Sequence, residues 1–166
     1  MIKMKTLIIY YSDTGKTKTV SKTLAEELNA DIIEIKDATQ KKGLLTKIGN
    51  SIDAFREKKT KIKPEKINID DYSLIYIGTP TWASNPTPAI ITLIDRLQLK
   101  NKDVIIFTTL NNNGGENTLK RMNEKIKLRG GRVISEFKIK TKDKTLKGIQ
   151  NETKKIIKTL DLNIYS

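Results

Sequence analysis

Three observations predict a doubly wound α/β domain built on a five-stranded parallel sheet. Short apolar runs without helical period recur at Thr6–Tyr11, Asp31–Ile35, Ser73–Ile77 and Val104–Thr108, and an alternating run follows at Val133–Ile139. Segments with apolar residues at helical spacing separate them, which implies parallel strands joined by right-handed crossovers and a sheet covered on both faces. The 166 residues show no internal repeat and no linker long enough to divide them, so residues 1–166 are expected to form one domain. For five strands the order 2-1-3-4-5 fits better than the six-stranded dinucleotide-binding order, and a ligand is expected off the carboxyl ends, where the first and third strands diverge.

The elements follow in chain order. Thr6–Tyr11 reads as a buried strand broken by Ser12–Gly15, and the next helix places Val20, Leu24, Ala25 and Leu28 on one face. After the strand Asp31–Ile35, the segment Gly43–Lys58 keeps Leu44, Leu45, Ile48, Ile52 and Phe55 at helical spacing. Lys59–Lys66 reads as a lysine-rich connector broken by Pro64. The third strand, Ser73–Ile77, is expected to stop at Gly78-Thr79-Pro80. Pro86 and Pro88 precede a helix with Ile90, Ile91, Leu93, Ile94 and Leu97 inward, since proline is tolerated in a first turn where its missing N–H has no helical partner. Val104–Thr108 leads into the turn-rich Asn111–Gly115, and a helix carrying Leu119, Met122 and Ile126 stops at Gly130-Gly131. The alternation in Val133–Ile139 suits a half-exposed edge strand, and a fifth helix shows Leu146, Ile149, Ile156, Ile157 and Leu160.

Composition removes much chemistry. With no cysteine and no histidine, the chain offers no thiolate nucleophile, no Ser-His-Asp triad and no Cys- or His-ligated zinc or iron–sulfur centre. No stretch approaches the roughly 20 apolar residues of a membrane span, so a soluble, cytoplasmic protein without membrane insertion is the expectation. The net charge is +13, from 32 basic and 19 acidic residues. Only five of the basic residues are arginine, and aromatics are 5% of the chain, whereas nucleic-acid readers lean on the arginine fork and on stacking. Nucleic acid is therefore not the expected partner. The excess is also local: residues 1–35 are neutral and 67–137 carry +2, while 36–66 carry +6 and 138–166 carry +5.

Three loops leave the expected ligand rim. Ser12-Asp13-Thr14-Gly15-Lys16-Thr17 sets hydroxyls and a glycine at the start of a helix, whose free N–H groups and dipole favour an anion. An ordinary helix cap is the plain alternative, but three hydroxyls plus glycine exceed what a cap needs, which favours phosphate. The nucleotide-triphosphatase pattern would need glycine where Tyr10 stands, G-x-G-x-x-G is absent, and a phospho-accepting receiver would need aspartate near Gly78 or Thr79. The second loop, Gly78-Thr79-Pro80-Thr81-Trp82-Ala83-Ser84-Asn85-Pro86, holds the only tryptophan. Its indole either folds back over the core or stacks on a planar heterocycle, and nearness to the phosphate loop favours stacking. The third loop, Thr109-Leu110-Asn111-Asn112-Asn113-Gly114-Gly115, is rich in turn formers.

A first strand running into Ser-x-Thr-Gly-x-Thr, followed later by strand-Gly-x-Pro-x-Trp, resembles the flavodoxin family over the whole chain. The resemblance implies a flavodoxin-like fold, FMN as cofactor and electron transfer between redox partner proteins, with Ser12–Thr17 on the phosphate, Trp82 on the isoalloxazine and Asn111–Gly115 along its other side. Many flavodoxins carry a tyrosine in that last loop and are acidic. This chain has no tyrosine between Tyr76 and Tyr165, is strongly basic, and lacks the extra loop that splits the fifth strand of long-chain members. A flavin-dependent NAD(P)H:quinone-type oxidoreductase on the same fold is the first alternative, and a flavin-free binder of nucleic acid or anionic surfaces the second. The lysine-rich segments are candidate docking surfaces for acidic partners, or only solubilising.

Overall fold

The computed structural model describes residues 5–39 and 60–160. The strands are β1 (Lys5–Tyr11), β2 (Asp31–Asp37), β3 (Ile62–Lys63), β4 (Tyr72–Pro80), β5 (Asp103–Leu110) and β6 (Arg132–Lys140). The helices among the described residues are α1 (Lys16–Leu28), α2 (Pro88–Arg96), α3 (Gly115–Leu128) and α4 (Leu146–Thr159). The helix expected over Gly43–Lys58 lies outside the described residues.

The sheet runs β3-β2-β1-β4-β5-β6. It has six strands rather than five and is mixed rather than wholly parallel, because β3 pairs antiparallel to β2 through Lys36↔Lys63 and Asp37↔Ile62. Two residues are too few to show a period, so β3 is hidden in the lysine-rich connector; Ile62 nevertheless joins the core at 1% exposure. The other pairings are parallel.

Alternate residues of the central strands feed two cores. Leu7, Ile9, Ile75, Ile77, Val104 and Ile106 pack with Ile90, Ile94, Met122 and Ile126 of α2 and α3. Ile8, Leu74, Tyr76, Ile105 and Phe107 pack with Val20 and Leu24 of α1 and Ile149 of α4. Burial on both faces is why these strands read as unbroken apolar runs. β6 lies at the sheet edge, where exposed and half-buried residues alternate. Leu146, expected on the apolar face of the last helix, is exposed at that helix's first position instead. The face begins at Ile149, one turn further on.

β4 does not stop at Gly78-Thr79-Pro80 but runs through them, and β5 extends to Leu110. β5 holds the end of β4 in the sheet: Gly78↔Phe107, Thr79↔Thr108 and Pro80↔Thr109 are in register, whereas pairing with β1 ends at Tyr10↔Gly78. The Phe107 ring lies against Gly78 and stacks on Phe137 of β6, with ring centroids 5.2 Å apart. A Cβ at Gly78 would fall 2.1 Å from the tip of the Phe107 ring. Gly78→Ala is expected to destabilise the protein by about 1–3 kcal/mol through overpacking, and a urea-denaturation midpoint equal to wild type would refute this.

Candidate functional site

The three loops meet at the carboxyl ends of β1, β4 and β5. In the first, Gly15 adopts φ 93° as the residue before α1, a left-handed conformation that suits glycine. A Cβ there would meet nothing within 4 Å, so the space facing it is open. The Ser12 hydroxyl accepts from the backbone N–H groups of Gly15 at 3.2 Å and Lys18 at 3.1 Å. α1 has no acidic residue in its first turn, which leaves its positive dipole end unopposed there. Asp13 and Thr14 are exposed and Lys16 is half-buried. Thr17 is buried, and its hydroxyl is 2.8 Å from that of Thr109.

The second loop is a tight hairpin turn. Trp82 and Asn85 exchange both backbone hydrogen bonds, each 2.9 Å. Between them Ala83 and Ser84 have φ 48° and 62°. Such left-handed values at both central residues belong to a mirror-image turn and cost about 1–2 kcal/mol each for residues other than glycine. Side chains hold the strained pair: Asn85 Nδ2 donates to the Ala83 carbonyl and Asn117 Nδ2 to the Ser84 carbonyl, both at 2.6 Å. Asn85 is 3% exposed, and its Oδ1 has no hydrogen-bond partner among the described residues. Half-buried Trp82 meets Tyr11 perpendicularly, with centroids 5.8 Å apart at 89°.

In the third loop Asn111, Asn112 and Asn113 are exposed, and Gly114 precedes α3 with φ 91°. A Cβ on Gly114 would lie 2.5 Å from Ser84 Oγ, so the second and third loops touch there. Gly115 is buried as the first residue of α3.

Threonines join the loops from below. The Thr81 N–H donates to the Thr109 carbonyl at 2.8 Å, while the Thr109 hydroxyl meets Thr17, so one residue links all three. Thr81 and Thr108 pair their hydroxyls at 2.7 Å, and Thr108 donates to the Thr79 carbonyl at 2.8 Å. The buried Thr79 hydroxyl accepts from the Thr87 N–H at 3.1 Å. Thus Thr79, Pro80, Thr109 and Leu110 are strand residues beneath the rim, whereas Ser12–Lys16, Trp82–Ser84 and Asn111–Gly114 form the rim itself. Sequence reasoning missed Tyr11 and Asn117 as supports of the second loop. An aromatic as the last residue of β1 was an available signal; nothing in the sequence marks Asn117.

A charged chain flanks the first loop. The Tyr10 hydroxyl hydrogen-bonds Glu34, which also pairs with Lys36 at 2.7 Å and Lys18 at 3.6 Å. Partial burial alone would raise the Glu34 carboxyl, but the two ammonium groups outweigh it and hold it below its ordinary value. Burial first, then the Glu34 charge and hydrogen bond, push Tyr10 from 10.0 to about 12. The folded state therefore keeps a proton that the unfolded chain releases, and stability is expected to fall as pH rises from about 10 to about 12. Tyr72, held up chiefly by its hydrogen bond to Asp31, and buried Tyr76 are raised in the same direction. Thermal melts over this window should therefore show a shallower but not flat pH dependence in Tyr10→Phe; an unchanged slope would remove Tyr10 as a contributor. Among the described residues, no group of three or more acidic side chains is placed to hold a metal ion.

A largely parallel sheet with helices on both faces, an open turn after β1 and an aromatic residue on the turn after β4 define an α/β protein whose three loops gather at the topological switch point of its sheet. The chain belongs to the flavodoxin family, whose model, described as flavodoxin, matches residues 5–152. An uncharacterised protein of Methanocaldococcus jannaschii is 29% identical over 140 residues, covering 81% of this chain and 73% of that one. Among solved structures, a flavoprotein of Lactobacillus acidophilus NCFM crystallised in complex with FMN is 26% identical, with a TM-score of 0.67 over 81% of this chain and 93% of its own. A candidate flavoprotein of Bacteroides uniformis, 24% identical over 93% of this chain and 98% of its own, has a TM-score of 0.74 and shows the shared fold. No helix among the described residues is long and apolar enough to cross a membrane.

Proposed function

We propose that this chain binds FMN at the three-loop rim and carries electrons between redox partner proteins in the cytoplasm. The observation that carries the reading is the open space at Gly15 on the same rim as half-buried Trp82. The residues fit the group. Backbone N–H groups at the start of α1, with the hydroxyls of Ser12 and Thr14, would take the phosphate; Thr17, whose hydroxyl is engaged by Thr109, would offer its N–H. Trp82 would stack on the isoalloxazine and Asn111–Gly114 would border it. Bound FMN supplies the redox chemistry, and the protein's part is to bind it, orient it and set its electrostatic surroundings.

The visible spectrum of the purified protein, before and after added FMN, tests this. A yellow protein whose Trp82 fluorescence is quenched on FMN uptake is expected. A colourless protein that ignores FMN and binds DNA with steep salt dependence would overturn the reading in favour of a nucleic-acid binder. The third loop offers only asparagine and glycine over Asn111–Gly115, with no aromatic to cover a ring, and this favours a reductase as the second reading. Anaerobic bleaching of the loaded protein by NADH or NADPH alone would establish that alternative.

A further inference from the structure

We propose that the corner formed by the end of β6 and the turn into α4 docks the acidic face of a redox-partner protein; the redox character of the partner rests on the FMN reading above. Residues 138–147 hold Lys138, Lys140, Lys142, Lys144 and Lys147 against one carboxylate, Asp143. All five lysines are exposed. Lys138 pairs with Glu116 and Lys144 with Glu152, whereas Lys140, Lys142 and Lys147 have no carboxylate partner among the described residues.

The corner lies beside the third loop. Lys140 is in register with Leu110, the last residue of β5. The Thr141 N–H donates to the Leu110 carbonyl at 2.8 Å, and its hydroxyl reaches Asn111 Oδ1 at 3.5 Å. Neighbouring strands are about 4.8 Å apart, within the roughly 8 Å over which charge acts at physiological salt. Asn111–Gly115 is uncharged, so no carboxylate in that loop opposes a negative partner. The groove between α3 and β6, about 430 Å³, lines Glu116 and Glu136 against Lys120 and Lys138 and adds no net attraction.

The chemistry favours a protein over nucleic acid. No arginine follows Arg132, and the nearby aromatic, Phe137, is half-buried and stacked on Phe107. The corner thus lacks the planar fork and the free ring on which nucleic-acid recognition depends. Solvated lysines instead speed encounter without prolonging the complex, which suits a carrier that must leave again.

The test titrates the ¹⁵N-labelled, FMN-loaded protein with an acidic blue-copper protein at low and high salt, with a basic cytochrome c as the control of opposite sign. Amide shifts are expected over residues 111–115 and 138–147. The triple variant Lys140→Gln, Lys142→Gln, Lys147→Gln is expected to weaken binding by about five- to thirty-fold while taking up FMN as wild type does. The control Lys22→Gln, Lys127→Gln is expected to change affinity by less than about two-fold. Shifts centred elsewhere, no binding of the acidic protein, or an unchanged affinity in the triple variant would overturn the docking surface. Tighter binding of a DNA duplex at the same corner would overturn it in favour of nucleic acid. A protein that takes up no FMN overturns the cofactor reading and the redox character of the partner, while the same titration without flavin still decides the surface.

Discussion

Trp82→Ala is expected to weaken FMN binding by about 5- to 150-fold, the loss that corresponds to one aromatic stacking contact of roughly 1–3 kcal/mol. The wild-type titration can be followed through Trp82 itself, since it is the only tryptophan. The variant must be followed through quenching of the flavin's own fluorescence. Trp82→Phe retains a flat apolar face and is expected to remain within a few-fold of wild type. The backbone pairing of Trp82 with Asn85 and the Asn117 bond to Ser84 do not depend on the indole, so the turn should survive either change. Equal affinities in wild type and Trp82→Ala would remove the indole from the site.

Gly15→Asp separates phosphate recognition from ring recognition. The substitution sets a carboxylate at the start of α1 and forces a side chain into a backbone with φ 93°. Two unit charges about 4 Å apart repel by about 4 kcal/mol at an effective dielectric of 20, and the positive end of α1 is spent on the new carboxylate. FMN affinity is expected to fall by more than about 100-fold, while riboflavin, which lacks the phosphate, changes by less than about three-fold. An equal loss for both ligands would mean that the loop had been distorted rather than its charge reversed. No effect on either would place the phosphate elsewhere.

The elements most legible in the sequence are those whose residues carry their own signal. Buried strands such as Leu7–Tyr11 and Val104–Thr108 appear as apolar runs because both faces are covered. Helix α2 is announced by Pro88 in its first turn. The misreadings share one physical cause, since pairing with a neighbour is invisible along a single chain. β3 exists because β2 offers an edge to two residues, and β4 continues through Gly78, Thr79 and Pro80 because β5 is there to pair with them. The same limit applies to the site. The three loops could be placed on one rim from strand order, and hydroxyl, glycine and indole chemistry suggested what each would contact. That Thr17 spends its hydroxyl on Thr109, 92 positions away, follows only from the packed structure.

The two ends of the sheet bear on a hazard separate from cofactor or partner. An open edge strand is a template on which another chain can add, and natural sheets protect such edges with very short strands and outward charge. β3 covers β2 on one side with only two residues of its own. On the other side β6 exposes Arg132, Glu136, Lys138 and Lys140, outward charges of the kind that keep an edge solvated. Lysines toward the end of β6 therefore guard against aggregation as well as forming a surface for others to meet. Neutralising them tests both roles, and the docking variant should be checked for self-association before its affinity is read.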